Sequence, residues 1–177
     1  MKNTSTLLAM ILFVHLANSC TDEKSLQKYL VETSGKQGFM TGDIPVSSLT
    51  SAKAAVSDEI KETIKSVQKI NVAFLKKTVE NETVYETEKN TLKTIFTNKD
   101  YKSLGKMKMK GMNVTVYFTG ETDAIDEIIA FGYSNEVGVG VARILGENMN
   151  PAKMFEMLNA INVDEGNIKN MGNIFKD

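Results

Sequence analysis

Asp123, Asp126 and Glu127 form the densest carboxylate group in the chain. Two acids in a cleft can share acid and base roles in glycoside cleavage, one protonated while its partner stays charged, so these three are the candidates for a hydrolytic site. The same residues, following Gly120-Glu121-Thr122, also suit a turn between two strands, and they lack the spacing of acids around a glycine that a calcium loop needs. Gly138-Val139-Gly140-Val141-Ala142-Arg143 begins like a nucleotide-binding glycine loop, but Arg143 stands where the fingerprint requires its third glycine. Alternation makes this run a strand, with Gly138, Gly140 and Ala142 on one face as a strip that a helix could approach closely. Met107-Lys108-Met109 with Met112 has soft thioethers at a spacing that could hold Cu(I), yet Lys106, Lys108 and Lys110 concentrate positive charge beside it. A strand with Met107 and Met109 turned to the core and the lysines to water is the better reading, and no metal site is expected. Flexible methionines also suit an adaptable surface, so Met107, Met109, Tyr117 and Phe131 are kept as a candidate ligand or partner groove.

The rarest residues exclude more chemistry than these clusters suggest. Among 177 residues there is one Cys, Cys20, one His, His15, and no Trp. Lys2 is followed by an apolar run from Leu7 to Leu16, too short to cross the roughly 30 Å of membrane hydrocarbon but suited to a secretory signal peptide. Ala17-Asn18-Ser19-Cys20 resembles a bacterial lipobox, although Leu16 stands one position early and Asn18 occupies the middle. The resemblance implies cleavage before Cys20 and its lipidation, with residues 1–19 as signal peptide and 20–22 as lipidated cysteine and short linker. His15 would leave with the leader and Cys20 would carry lipid, so the mature chain has neither an imidazole nor a free thiol for catalysis. Two or more acyl chains hold a protein stably where one is marginal, so the chain is expected to be anchored and not to span. Asp22 and Glu23 resemble the acidic export signal that sends some lipoproteins to the outer surface; they also suit a solvated linker and a helix start. The formal net charge of −1 provides no basic excess for a phosphate backbone, so nucleic acid is not an expected partner.

The elements that would position any site read as one α+β domain over residues 23–177. A helix is predicted over 23–33 from Leu26, Tyr29 and Leu30, and a strand over Phe39–Ile44 before Pro45. Ser57 caps a second helix with Asp58 and Glu59 at its positive end, Ile60, Ile64 and Val67 on one face, and Lys65 and Lys69 at its negative end. Residues 69–77 are apolar on both alternating faces, as in an interior strand. A helix over 82–97 directs Val84, Tyr85, Leu92, Ile95 and Phe96 inwards. Four strands near 102–110, 112–120, 125–133 and 137–145, joined by short turns, must be antiparallel neighbours. Asn150-Pro151 opens a last helix with Met154, Met157, Leu158 and Ile161 as its stripe, and Ile168, Met171, Ile174 and Phe175 mark a Gly- and Asn-rich tail. The expected architecture is a mostly antiparallel sheet of about five or six strands with helices on one face.

The lipobox, Gly38-Phe39-Met40-Thr41-Gly42-Asp43-Ile44-Pro45, Lys69-Ile70-Asn71-Val72 and Arg143-Ile144-Leu145-Gly146-Glu147-Asn148-Met149-Asn150-Pro151 together resemble a family of small Bacteroidota lipoproteins, domain of unknown function 4252. The resemblance implies a location at the outer membrane, on its periplasmic or external face, and carries no catalytic residue and no cofactor. A non-catalytic binding, scaffolding or envelope-maintenance module, with an envelope protein or glycan as partner, is the expected role. A carboxylate-dependent envelope hydrolase is the alternative, and a metal or small-ligand carrier ranks third.

Overall fold

The computed structural model describes residues 25–47 and 57–160. Ser25 caps α1 (Leu26–Thr33) by accepting the Lys28 N–H on its hydroxyl, and Gly35, at φ +73°, lets the chain turn away. Strand β1 (Phe39–Ile44) follows. Ser57 caps α2 (Asp58–Lys65) through the Ile60 N–H at 3.3 Å. Lys69, expected at the negative end of that helix, lies instead in β2 (Val67–Lys76), because the chain becomes extended two residues after Lys65. After α3 (Glu82–Ile95) come β3 (Lys102–Met109), β4 (Met112–Gly120), β5 (Ile125–Ser134), β6 (Gly138–Met149) and α4 (Pro151–Ala160). The Asn150 side-chain oxygen accepts the Lys153 N–H at the start of α4, the cap its sequence implies. The side chains of Met157 and Leu158, and Ile161, the tail from 163, Cys20, Asp22 and Glu23, fall outside what is described.

All six strands form one sheet in the order β1-β2-β6-β5-β4-β3, and every neighbouring pair is antiparallel. The expected α+β class and antiparallel sheet are therefore present. The helices, expected on one face, divide between two. On the first face, α1 and α3 bury Leu26, Tyr29, Tyr85, Leu92 and Ile95 against Ala73, Leu75, Ile129, Phe131, Val139 and Val141. On the second, α2 and α4 bury Ile64 and Met154 against Val67, Ile70, Phe118, Ile125, Ile128 and Met149. The division follows from the central strands, whose even and odd positions are both apolar and cannot leave either face to water. Each of the larger aliphatic side chains so buried stabilises the fold by about 1.5–3 kcal/mol. Val84, expected to point inwards from α3, is 42% exposed; Tyr85, its neighbour, occupies the inward position with no exposed surface.

Two details of the sheet depart from expectation. Gly138 and Gly140 do form a strip of minimal side chains, but among the described residues the group lying against it is the Phe74 ring of the adjacent strand, not a helix. The hairpin between β3 and β4 turns through Lys110 and Gly111 at φ 48° and 78°, as a two-residue type I′ loop requires, and this fixes Met109 opposite Met112, Met107 opposite Val114 and Lys106 opposite Thr115. Met107 and Met109 therefore share the second face, but they are not core. They are 38% and 48% exposed, because β3 is the sheet edge and α2 and α4 do not extend over it.

A Cβ on Gly140 would lie 2.6 Å from the Ala73 carbonyl oxygen and 2.7 Å from the Phe74 ring. Gly140→Ala should accordingly destabilise the protein by about 1–3 kcal/mol. Thermal unfolding is the check, with a loss of about 2–4 °C per kcal/mol for a chain of this size; an unchanged midpoint would mean that the strip has room the geometry denies it.

Candidate functional site

On the first face, α3 does not reach the sheet edge, and the space left between α3 and β3 is an open groove of about 500 Å³. Its floor comes from β4 and β5. The register puts Thr115 opposite Phe131 and Tyr117 opposite Ile129, so Thr115, Tyr117, Phe131 and Tyr133 stand on the same side of the sheet. Phe96, at the end of α3, stacks on Tyr117 with centroids 4.5 Å apart and planes 6° from parallel, and meets Phe131 at 5.4 Å. Phe131 in turn meets Tyr133 at 5.6 Å. Such pairs contribute about 0.5–1.5 kcal/mol each beyond burial, so the floor is a rigid aromatic layer whose tyrosines remain partly open.

Lysines form the walls. Lys93 on α3 places its ammonium 4.8 Å from the Tyr133 ring centroid, a cation–π contact that fixes it at the rim. Lys106 and Lys108 rise from the opposite wall on the same side of β3, about 7 Å apart by strand geometry. Among the described residues no Asp or Glu lines the groove.

The sequence-derived candidates are distributed as follows. Tyr117 and Phe131 lie in the groove floor, and Met107 lies at its rim. Met109 is outside the lining, and the register puts both methionines with Val114 and Met112, on the side of the sheet away from Tyr117. Grouping the four by residue type thus mixed two faces. Lys93, Lys106, Lys108 and Tyr133 were not among the candidates, although the Lys110-Gly111 turn signal and strict alternation place Lys106, Lys108 and Tyr117 on one face by counting back from the loop.

The acidic candidates do not converge. Asp123 and Asp126 are exposed at and after the β4–β5 turn. Glu127 is held by Arg143: the arginine Nε donates to one carboxylate oxygen at 3.2 Å, its second nitrogen donates to the other at 2.5 Å, and its third reaches the Gln27 side chain on α1 at 2.6 Å. Arg143 is only 7% exposed, and the bidentate pairing engages both Glu127 carboxylate oxygens in a structural contact. Among the described residues no group of three or more His, Cys, Asp or Glu could hold a metal ion.

A second polar junction lies between α1 and α3. Glu88 is 6% exposed and accepts from the Lys36 ammonium at 2.7 Å and from the Tyr29 hydroxyl. Burial, reinforced by the Glu88 charge, drives the Tyr29 phenol far above its ordinary value of 10.0. Burial also raises Tyr85 and Tyr101. In a smaller hollow under α1, hydrogen bonding from Lys69 leads the lowering of the Asp43 carboxyl, with Asn71 assisting.

Three comparisons bear on these surfaces. A family model described as a domain of unknown function, DUF4252, matches residues 32–157, a span that includes every groove residue. No curated protein and no solved structure matches the chain.

Two outcomes follow from the polar junctions. Arg143→Ala strands Glu127 in a largely buried position and should cost about 3–5 kcal/mol, read as a fall in the urea midpoint at constant slope. Above pH 10 the unfolded chain releases the Tyr29 proton while the folded chain keeps it, so the stability present below that pH must decline as pH rises, at about 1.4 kcal/mol per unit for each such tyrosine. Urea titrations at pH 8, 10 and 11 should show a shallower alkaline decline in Tyr29→Phe than in the parent protein; parallel declines would refute the assignment.

Proposed function

The chain belongs to the DUF4252 family, and from that membership and the groove geometry we propose that it is a lipid-anchored envelope module that binds a ligand and does not transform it. The observation that carries the reading is the groove itself, where a fixed aromatic floor and three ammoniums converge on open space while the best-placed carboxylate, Glu127, is committed to Arg143. A preformed concave surface with a few placed polar groups is what recognition needs.

The anchor in this proposal is lipidated Cys20 in the outer membrane of a Bacteroidota cell, facing either the periplasm or the exterior. Only residues 21–25 separate that cysteine from α1, and at 3.3–3.6 Å per extended residue the tether reaches no more than about 18 Å. Such a tether would hold the domain against the membrane with α1 nearest to it. No helix among the described residues is long and apolar enough to cross a membrane. Asp22 and Glu23 would direct external display.

Cys20→Ala should abolish incorporation of radiolabelled fatty acid and shift the protein from the membrane to the soluble fraction; unchanged labelling would overturn the anchor. For binding, a photo-crosslinking residue in place of Lys106 should give a discrete adduct in intact envelopes, while the same residue in place of Lys61 on α2 should give none. Equal behaviour at the two positions would overturn the groove as the binding site.

A further inference from the structure

We propose that the ligand of this groove is an acidic polysaccharide, a chain of sugar rings carrying carboxylates, an inference that rests on the groove being the binding site. Charge is the first argument. Lys28, Lys36, Lys61, Lys65, Lys69, Lys77, Lys89 and Lys153, about half of the described lysines, each have a carboxylate within 4.0 Å. Lys93, Lys106 and Lys108 face one groove and none is paired with a carboxylate among the described residues. Three uncompensated ammoniums in a protein whose net charge is −1 are a local excess, and a polyanion is the ligand that relieves their mutual repulsion.

The distribution of the charges suits a chain of anions. Lys106 and Lys108 are two residues apart on one strand, about 7 Å along the groove, with Lys93 across from them. Anions repeated along a linear ligand can meet the three lysines in turn, each ammonium with its own partner. Such cations at the rim raise the on-rate and fix the register of a charged chain without burying the charges.

The floor selects sugar rings over peptide. Every strand beneath the groove is already paired on both sides except β3, so the sheet face offers no ladder of main-chain donors and acceptors, and an extended peptide would gain nothing from its backbone there. What the face does offer is aromatic surface at Tyr117 and Tyr133 and the polar groups of Asn113 and Thr115. Rings with an apolar C–H face and equatorial hydroxyls satisfy both kinds of group, by stacking and by hydrogen bonding, and their carboxylates satisfy the lysines.

Calorimetric titration of the purified full chain with oligogalacturonate and with hyaluronan fragments tests this, using maltooligosaccharide as the neutral comparator and poly-glutamate as the acidic peptide comparator. Binding of at least one carboxylated oligosaccharide is expected, weakened about tenfold or more in the Lys106→Gln, Lys108→Gln double variant. It should also weaken several-fold as salt rises from about 50 to 200 mM. Both lysines are exposed on an edge strand, so the double variant should keep its thermal midpoint, and Lys61→Gln, Lys65→Gln on α2 serves as a charge-matched control that leaves binding intact. Failure of both acidic oligosaccharides, or equal loss in the two double variants, would overturn the proposal. Equal or tighter binding of the neutral sugar or of poly-glutamate would overturn the ligand class while leaving the groove as a binding site, and only the envelope crosslinking at position 106 decides the latter.

Discussion

Both faces of the central strands must be buried, and the rest of the structure depends on that constraint. In β2, Ala73 and Leu75 point one way and Ile70 the other; in β5, Ile129 and Phe131 oppose Ile128; in β6, Val139 and Val141 oppose Ile144. A sheet with helices on one side only would expose one of these rows, at a cost of roughly 25 cal/mol for each Å² of apolar surface left in water. Helices therefore pack on both sides. Small residues modify the second face: where Gly138 and Gly140 leave no side chain, Phe74 folds over the strand, and the sheet fills part of its own surface.

Buried polar groups then fix α1 on the first face. Arg143 rises from β6, is neutralised by Glu127 on β5, and gives its remaining donor to Gln27 on α1. Glu88 on α3 joins Tyr29 on α1 to Lys36 just beyond it. Hydrophobic contact alone would let a helix of eight residues slide or rotate. Two directional contacts at different points along it remove that freedom, and an unpaired charge in either place would cost several kcal/mol. The first helix is thus tied to the sheet through Gln27 and to α3 through Tyr29.

Much of this was legible in the sequence, and the reasons are local. Ser57 and Asn150 are caps whose partners lie three residues away. The four strands from Lys102 to Met149 are joined by short turns, which determine both their direction and their order. What could not be read was which face met which helix. That depends on β2 pairing with β6 across some seventy residues, and nothing local encodes it. The same gap explains the errors at Met107 and Met109. Alternation correctly separated them from Lys106 and Lys108, but the wet and dry sides could be assigned only once β3 was known to be an edge. Gly138 and Gly140 read as room for a helix because Phe74, their actual neighbour, belongs to a strand distant in sequence.

The groove is a product of dimensions as well as of residue choice. Six strands at about 4.8 Å spacing make a sheet roughly 24 Å across. Two helices of about 10 Å diameter lie on its first face, α1 towards β1 and β2 and α3 over the middle strands, and together they cover some 20 Å. About one strand is left over, and it is β3, the strand whose upward side chains are lysines. Charge on an uncovered edge strand also protects against edge-to-edge association, which accounts for Lys106 and Lys108 with no ligand at all. It does not account for Lys93. That residue is on a helix, not an edge, and its ammonium is held over Tyr133 facing the same space. Protection of the edge would be served equally well by Lys93 turned to solvent or paired with a carboxylate, as other helix lysines here are. The convergence of charges from two separate elements on one aromatic floor is the feature that edge protection leaves unexplained and that binding explains.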